Sequence, residues 1–454
     1  MMANAFQAEQ LPDRVLIVGL GKTGLSCARY LSARGLQVAV TDSREQPPGL
    51  EALRRELPDV GLFLGGFDKD LFGAADMLVL SPGVSLETPA VRHALEKGVP
   101  VMGDVEVFAR EVQAPVAAIT GSNGKSTVTT LLGQMALAAG RRTAVGGNLG
   151  EPVLDLLDAH NELYVLELSS FQLETVHSLA PAVAAVLNIS ADHMDRYPSL
   201  EAYADTKARI YAQAQSGVYN LDDARVAAMP RTPGALFFTL DVPENESTFG
   251  LCSEGGDTWL CRGGRRLMRT AELRMPGRHN LANALACLAM GSLLDLPMDV
   301  MLEVLAAFPG LAHRTEYVCR HEGVAWYNDS KGTNPGATIA ALQGLDKGDG
   351  SRTVLIAGGD CKGADFSGLA AALKRFARAV VLMGRDRGQI RRHLDSDIAV
   401  VEAEDMDAAV QQAAALAQGG DRVLLSPACA SFDMYKGFED RGDKFKASVR
   451  RICQ

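Results

Sequence analysis

The chain has 454 residues, which is too long for one hydrophobic core and predicts two or three domains. Apolar residues make up 47% and charged residues 22%, as in ordinary soluble globular proteins. The formal net charge of -10 argues against a general nucleic-acid-binding protein, which would need a basic face. Small anionic ligands stay compatible with this charge, because a few N–H groups and cationic side chains suffice locally.

The cysteines and the apolar runs predict where the protein works. The 8 cysteines are scattered and form no Cys-x-x-Cys pair, so we expect a reduced intracellular protein with buried thiols. Met1 to Asp13 are polar and mixed and do not predict a signal peptide. No apolar run approaches the ~20 residues of a membrane-spanning helix. We therefore expect a cytoplasmic protein without a membrane partner.

The first segment predicts a parallel, doubly wound sheet. A β-type run at Arg14–Val18 is followed by Gly-x-Gly-x-x-Gly at Gly19–Gly24 and a helical stretch. Further strands are predicted at Gln37–Thr41, which ends at Asp42, and at Met77–Leu80. Alternating strands and helices are typical of this sheet type.

The glycine fingerprint of this segment leaves two ligands open. With Asp42 it matches a dinucleotide-binding turn, yet the same geometry holds any diphosphate. A nucleotide or nucleotide-sugar diphosphate is favoured over a nicotinamide cofactor. The candidate contacts line one crevice: Gly21, Lys22, Thr23, Asp42, Ser43, Arg44, Ser81, Pro82 and Gly83.

The second segment opens with the most informative motif of the chain. A buried strand at 115–118 leads into a glycine-rich turn and a helix start, which is the layout of a nucleotide-phosphate loop. The usual first glycine would stand at Ile119, so the loop is a shortened variant. A solvated lysine on a glycine turn is the less favoured alternative. The candidate phosphate contacts are Gly121, Ser122, Asn123, Gly124, Lys125, Ser126 and Thr127.

Other polar groups of this segment follow predicted strands. Glu167 follows 164–166, and His193 follows the strand Val183–Leu187. Carboxylates at such positions suit Mg²⁺ beside phosphates. Without the phosphate loop, His193 would be interpreted as a turn histidine that caps nearby backbone. From spacing alone, Lys207, on a helix predicted from Leu200 to Ala212, is a solvated lysine. Hairpins are predicted between Thr248 and Met275, and helices at 280–294 and 298–307.

The last segment begins after Phe308–Gly310. Strands are predicted at 324–327, 353–357, 379–382, 398–401 and 422–425. Three polar loops follow these strands, at Asp329–Pro335, Gly358–Phe366 and Ser426–Asp433. Loops at the carboxyl ends of parallel strands form a binding face, and their basic residues suit carboxylates or phosphates.

With these motifs assembled, the chain resembles the Mur ligases of bacterial peptidoglycan synthesis along essentially its whole length. Their phosphate loop has the shortened form Thr-Gly-x-Asn-Gly-Lys-[Ser/Thr], as at Thr120–Ser126. The resemblance is strongest with the members that add D-glutamate, and the Asp-Asn-Pro-Arg run typical of members that add a dibasic amino acid does not occur. The supporting segments appear in the same order: Gly19–Gly24, Thr41–Arg44, Leu166–Gln172, Asp192–Tyr197, Gly358–Phe366 and Ser426–Phe438.

The resemblance implies an α/β fold of three domains, each on a mainly parallel doubly wound sheet. Residues 1–103 would form a Rossmann-like domain for the UDP substrate, and 104–308 a central phosphate-loop ATPase domain. Residues 309–454 would form a second Rossmann-like domain that binds the amino acid and closes on ATP. The implied reaction joins D-glutamate to UDP-N-acetylmuramoyl-L-alanine through an acyl phosphate. The small molecules ATP, D-glutamate and the UDP substrate would be its partners, and a monomer is expected.

The resemblance also carries site residues over by position. It implies that Lys125, Glu167, His193 and Lys207 are catalytic and that Lys207 is carbamylated by CO₂. For Lys207 this reverses the interpretation from spacing, which made it a solvated lysine. Ser126 and Glu167 would hold one Mg²⁺ and His193 and Lys207 a second, with Mn²⁺ able to substitute. The further matches are Asn280, Asn283, Arg314 and Asp329 for ATP; Asn148 and His193 for the UDP substrate; and Lys331, Thr333, Lys362, Ser431 and Phe438 for D-glutamate.

Three other classes explain less of the chain. A nicotinamide-dependent oxidoreductase leaves the phosphate loop and the segment from Asp192 to Lys207 unexplained. A non-catalytic nucleotide-binding regulator predicts ATP binding without turnover that depends on an amino acid. Folylpolyglutamate synthase, a sibling in the family, does not account for the crevice between Gly19 and Arg44. Cys361, beside Lys362, leaves local redox sensitivity open.

Overall fold

The computed structural model of the chain describes residues 12–275, 277–346, 348–394 and 397–453. Three sheets follow one another, on residues 14–103, 116–269 and 316–425, so the predicted α/β fold with three sheet-bearing domains is confirmed. The boundaries after residues 103 and 308 stay predictions. Of the polar N-terminal stretch that argued against a signal peptide, residues 1–11 lie outside the described residues.

The first sheet is parallel throughout and has the order β3-β2-β1-β4-β5. Its central strands β1 and β4 are apolar and almost wholly buried, as expected when helices cover both faces. Its elements are β1 Arg14–Val18, α1 Lys22–Ala33, β2 Gln37–Asp42, α2 Leu50–Glu56, β3 Gly61–Leu64, α3 Lys69–Ala74, β4 Met77–Leu80, α4 Pro89–Glu96 and β5 Val101–Gly103, and α5 Asp104–Glu111 leads to the next sheet.

The second sheet has nine strands in the order β14-β13-β12-β11-β10-β9-β6-β8-β7. The predicted hairpins are confirmed, since β12 to β14 pair antiparallel and the other strand pairs are parallel. Its elements are β6 Val116–Thr120, α6 Lys125–Ala138, β7 Thr143–Gly147, β8 Leu163–Glu167, α7 Ser170–Leu173, β9 Val183–Val186, α8 Leu200–Ala208, β10 Ser216–Asn220, α9 Ala224–Ala227, β11 Leu236–Phe238, β12 Thr248–Glu254, β13 Asp257–Arg262, β14 Arg265–Arg269, α10 Arg278–Leu293 and α11 Met298–Ala307. Single 3₁₀ turns occur at Val153–Leu156, Arg209–Tyr211 and Thr270–Glu272.

The third sheet has six strands in the order β15-β16-β20-β17-β18-β19. Among the strand pairs that the structure describes in this sheet, the edge strand β15 pairs antiparallel with β16 and the others are parallel. Its elements are β15 Glu316–His321, β16 Val324–Asn328, α12 Pro335–Leu345, β17 Thr353–Gly358, α13 Ser367–Phe376, β18 Ala377–Met383, α14 Arg387–Arg391, β19 Ala399–Glu402, α15 Met406–Leu416, β20 Arg422–Leu425 and α16 Phe438–Ile452.

Strand order brings the polar loops together. Strands β9, β6 and β8 are neighbours, so the phosphate loop after β6, Glu167 at the end of β8 and the loop after β9 share one sheet edge. Strands β16, β20 and β17 are also neighbours, which gathers the three polar loops of the third domain. The two loop clusters form the two sides of one cleft.

The prediction that the thiols are reduced is wrong for four of the cysteines. Disulfides join Cys252 to Cys261 across the β12–β13 hairpin, and Cys319 in β15 to Cys453 after α16. The second pair is separated by 134 residues, so only the tertiary fold brings it together. The other four cysteines are free and buried, as predicted: Cys27, Cys287, Cys361 and Cys429. Within the described part of the chain, no helix has both the length and the apolar character needed to cross a bilayer.

Candidate active site

The phosphate loop forms a tight turn between β6 and α6. Gly121 and Gly124 have φ angles of 151° and 85°, which side chains other than glycine rarely adopt. A Cβ on Gly124 would lie 2.4 Å from Oδ1 of Asn283 on α10. Helix α6 begins without a side-chain cap, so its first N–H groups are free to bind an anion.

Lys125 and Glu167 face each other beneath this loop. The Lys125 ammonium donates to Gly121 O and Ser122 O at 2.8 and 2.9 Å, and burial lowers its pKa against the attraction of Glu167. Burial alone would raise the pKa of Glu167, but the Lys125 charge, the nearby Ser126 hydroxyl and the Asn148 amide hold it lowered. Asn148 Nδ2 donates to Glu167 Oε1 at 2.7 Å, whereas Glu167 Oε2 is buried without a hydrogen-bond partner. The unpartnered oxygen suits a hard cation.

Lys207 is not a solvated helix lysine. It is 1% exposed, and its ammonium donates to Thr120 Oγ1 at 3.2 Å and to Gly121 O at 3.0 Å, directly under the phosphate loop. It also lies 4.7 Å from the ring centroid of Tyr203. Burial and the nearby Lys125 charge lower the pKa of Lys207 well below its ordinary value, which favours a neutral, nucleophilic amine.

His193 lies at the rim of the same cluster. Its φ of 56° is left-handed, and its ring packs edge-on against Phe171 at 4.7 Å between centroids. Burial lowers the pKa of His193 against the opposing charge of Asp192, and the charge of Lys362 on the third domain adds to the lowering. Among the described residues, no group of three His, Cys, Asp or Glu side chains is placed to hold a metal by itself.

The third domain closes over the phosphate loop through two side chains. Arg314 Nη2 donates to Ser126 Oγ at 2.7 Å, which joins residues 188 positions apart. Asn334 Nδ2 donates to Asn123 Oδ1 at 3.4 Å and to Asp192 Oδ2 at 3.3 Å. Sequence reasoning did not single out Asn334, because a residue before Pro335 is explained as the cap of α12, and its Oδ1 does accept from Ala337 N.

A cavity of about 360 Å³ lies beside the loop, between the central and third domains. Asn280 and Asn283 line it from α10, each 7% exposed, and Asn283 donates to Asn280 at 3.2 Å. Asp329 lines it from the third domain and accepts from Ser426 Oγ at 2.7 Å and from Thr315 N at 3.0 Å. Burial raises the pKa of Asp329 to about 6. Asn280, Asn283 and Asp329 therefore line one cavity.

The predicted D-glutamate contacts lie on the loops of the third domain. Lys331 is stacked over the Phe438 ring at 3.8 Å, and burial lowers its pKa to about 8. Lys362 is exposed and has a φ of 46°, whereas Ser431 is buried. Thr333 follows Lys331 in the loop after β16, with its N–H donating to Lys331 O at 2.8 Å.

A pair of thiols lies behind these loops. Cys361 Sγ and Cys429 Sγ are 3.1 Å apart, and both residues are buried.

The crevice of the N-terminal domain is built on the glycine turn. A Cβ on Gly24 would lie 1.9 Å from Gly19 O, so the helix packs directly against the turn. Asp42 braces this turn from behind: its oxygens accept from Leu20 N at 2.7 Å and from Arg44 Nη2 at 2.7 Å. Its pKa is lowered to about 2, since these hydrogen bonds outweigh burial. The exposed predicted contacts around it are Lys22, Ser43, Arg44 and Gly83, with Gly21, Thr23, Ser81 and Pro82 partly buried.

Comparison with known protein families identifies the family to which the chain belongs. The chain matches the Mur ligase MurD-like N-terminal domain over residues 13–103, the Mur ligase middle domain over 119–291, and the Mur ligase glutamate ligase domain over 313–429. The chain belongs to the Mur ligase family. The matched ranges contain the N-terminal crevice, the phosphate loop and the third-domain loops up to Cys429, respectively.

Individual relatives agree with this assignment. This Mur ligase is 54% identical over 454 residues to the UDP-N-acetylmuramoylalanine–D-glutamate ligase of Nitrosococcus oceani, with 99% of both chains covered. It is 52% identical to the enzyme of the same name from Pseudomonas putida, covering 95% of this chain and 96% of the relative.

Solved structures support the fold. A pseudomurein peptide ligase type C from Methanothermus fervidus aligns with a TM-score of 0.62 at 18% identity, covering 97% of this chain and 100% of that chain. The UDP-N-acetylmuramate–alanine ligase of Thermotoga maritima aligns with a TM-score of 0.61 at 19% identity, covering 96% and 99%. At these identities the likeness shows the fold alone.

Proposed function

We propose that this Mur ligase joins D-glutamate to UDP-N-acetylmuramoyl-L-alanine, converting ATP to ADP and phosphate, in peptidoglycan precursor synthesis. The observation that carries this proposal is the contact between Arg314 and Ser126. It seats the polar loops of the third domain over a phosphate loop, so that ATP and an amino acid can occupy one cleft. The two relatives named for this activity support the choice of substrates.

The chemistry follows from this placement. The carboxylate of the UDP substrate attacks the γ-phosphorus of ATP, and ADP leaves. The amine of D-glutamate then attacks the acyl carbon, loses a proton and expels phosphate, which leaves an amide. Positioning and charge neutralisation accelerate such phosphoryl transfer more than covalent help does. Lys125 and the N–H groups at the start of α6 supply both.

The residues present fit a hard cation. Glu167 Oε2 is a buried carboxylate oxygen without a partner, and the Ser126 hydroxyl belongs to the adjacent helix turn. We assign one Mg²⁺ to this pair and a second to His193 and Lys207, with Mn²⁺ able to substitute. When bound, the metal would neutralise phosphate charge.

Lys207 serves this second site only after modification, because a free ammonium would repel a cation. A neutral lysine amine adds to CO₂ and gives a carbamate anion and one proton. Burial lowers the pKa of Lys207, which is the direction that favours the neutral amine. Together with the family resemblance, this direction is the reason for assigning Lys207 as a carbamate.

The remaining substrate contacts are assigned from the positions of the residues in the structure. The N-terminal crevice would hold the UDP group, with Asn148 near the muramoyl group. Asn280, Asn283 and Asp329 would hold the adenosine in the 360 Å³ cavity. Lys362, Ser431 and the loop at Phe438 would take D-glutamate, with Lys331 and Thr333 nearby. A monomeric state and a cytoplasmic location stay predictions.

Phosphate release from ATP tests the proposal. The enzyme is incubated with UDP-N-acetylmuramoyl-L-alanine and a panel of D- and L-amino acids. Release that requires D-glutamate is expected. Release that is independent of any amino acid, or that prefers another member of the panel, would reject the assigned substrate.

A further inference from the structure

A largely buried arginine connects the central domain to the N-terminal domain. The side chain of Arg196 is 13% exposed. Its guanidinium donates to Pro82 O and to Val84 O, each at 3.3 Å. Both carbonyls belong to the loop after β4, which walls the predicted UDP-substrate crevice. Arg196 thus reaches a substrate loop from a different domain.

The guanidinium is fixed from the central-domain side. Its Nε and Nη2 donate to the two carboxylate oxygens of Glu174 at 3.0 and 2.5 Å. The hydroxyl of Tyr197 donates to the same carboxylate at 2.7 Å. A bidentate pair sets the plane of the guanidinium, so its remaining N–H groups point in fixed directions. Lysine has its three donors on one nitrogen and could not serve the carboxylate and both carbonyls in this geometry.

Arg196 also supports His193. The guanidinium lies 4.2 Å from the centroid of the Phe171 ring, and the His193 ring packs on the same ring at 4.7 Å. The backbone N–H of Arg196 donates to His193 O at 2.9 Å. A histidine with a φ of 56° is held in place by its surroundings, because that conformation is unfavourable without them. A continuous set of contacts therefore runs from the Pro82–Val84 loop to His193.

We propose that Arg196 is a positioning residue of the ligation, which couples the loop that receives the UDP substrate to the placement of His193 at the phosphate site. It acts through Pro82, Val84 and Phe171 and does not touch the reacting atoms. When the UDP substrate binds and holds this loop in place, the carbonyls of Pro82 and Val84 fix the position of Arg196. Arg196 in turn fixes the position of the turn that contains His193. This role rests on the proposed function.

Arg209 provides a matched control. It also donates to backbone carbonyls of the segment after α7, Glu174 O at 2.9 Å and Val176 O at 3.0 Å. These two bonds stay within the central domain. An arginine-to-lysine change at 209 therefore disturbs the same segment without altering the contact to the substrate loop.

The experiment compares kcat and the KM for each of the three substrates in wild type, Arg196→Lys, Arg196→Met and Arg209→Lys, together with their melting temperatures. Arg196→Lys is expected to raise the KM for UDP-N-acetylmuramoyl-L-alanine about tenfold, because two charge-assisted hydrogen bonds are lost or misdirected. It should also lower kcat, and leave the KM for D-glutamate unchanged. Arg196→Met should show a larger effect of the same kind, and Arg209→Lys should resemble wild type.

Unchanged kinetics in Arg196→Lys would overturn the proposal. An equal loss for all three substrates together with a lower melting temperature would also overturn it, since Arg196 would then only stabilise the fold. Should the arginine variants not fold, Glu174→Gln weakens the same bidentate pair and must raise the KM for the UDP substrate selectively. A wild-type enzyme without D-glutamate-dependent turnover would instead refute the proposed function itself.

Discussion

Replacing Lys125 by methionine separates its catalytic role from its structural role. Methionine keeps an unbranched side chain of similar length and removes the charge. The phosphate-loop assignment predicts that turnover falls by about 10²–10³, or ~2.7–4 kcal/mol of transition-state stabilisation, the loss typical of one preorganised electrostatic contact. Binding of the UDP group, which is assigned to the N-terminal domain, should change little.

The same substitution should leave the protein folded. The variant loses two hydrogen bonds from a charged donor, to Gly121 O and Ser122 O, each worth ~1.5–3 kcal/mol. It also removes a buried ammonium whose desolvation costs several kcal/mol, the effect that lowers the pKa of Lys125. The two contributions have opposite signs, so the free energy of unfolding should change by less than ~2 kcal/mol.

The assay is phosphate release at saturating substrates, paired with thermal unfolding. The exposed Lys69 on α3 supplies a control, since Lys69→Met removes a charge far from the phosphate loop. A folded Lys125→Met protein with near-normal phosphate release would refute the assignment of this loop to ATP. A variant that does not fold would refute the balance of energies above.

Three further outcomes are expected. Lys207→Ala should lose most activity, and added acetate should restore part of it by supplying the missing anion; a fully active variant would exclude the carbamate. Lys362→Ala should raise the KM for D-glutamate by about tenfold to a hundredfold and spare that for ATP, because one charge-assisted bond is lost; an equal rise for all substrates would contradict this. Burial raises the pKa of Asp104 from 3.8 to about 6, so its contribution to stability is present below pH 3.8 and is lost as the pH rises through about 6. That loss is on the order of 3 kcal/mol. The melting temperature of Asp104→Asn should therefore fall less between pH 3.8 and about 6 than that of wild type. Parallel curves of melting temperature against pH for the two proteins would refute the raised pKa of Asp104.

Most of the helices and strands could be predicted from local sequence patterns. The strand, glycine turn and helix start around Lys125 are contiguous in sequence, so their arrangement could be predicted directly. Strands that lack a strong local signal were not predicted: β7 ends in Gly146 and Gly147, and β3 is a four-residue edge strand that is partly exposed. The antiparallel strand β15 was missed because its burial is only partial and its pairing with β16 is set by the tertiary fold.

The candidate site contains long-range contacts that local sequence patterns do not predict. Spacing alone made Lys207 a solvated lysine, since nothing near it in sequence indicates that it packs under Thr120 and Gly121, more than 80 residues earlier. Only the family resemblance predicted its role. Likewise, the sequence places Arg196 in the segment Asp192–Tyr197 but does not indicate its partners, since the carbonyls that it binds lie 114 and 112 residues away. Such long-range contacts leave no periodic pattern to detect.

The path of one carboxylate oxygen tests the central claim most directly. UDP-N-acetylmuramoyl-L-alanine is labelled with ¹⁸O at both oxygens of its carboxylate and incubated with ATP and D-glutamate, and the released phosphate is analysed by mass spectrometry. Because the carboxylate attacks the γ-phosphorus and the amine later displaces phosphate at carbon, each phosphate released should carry one labelled oxygen. Unlabelled phosphate, or release that continues at the same rate without D-glutamate, would contradict the account.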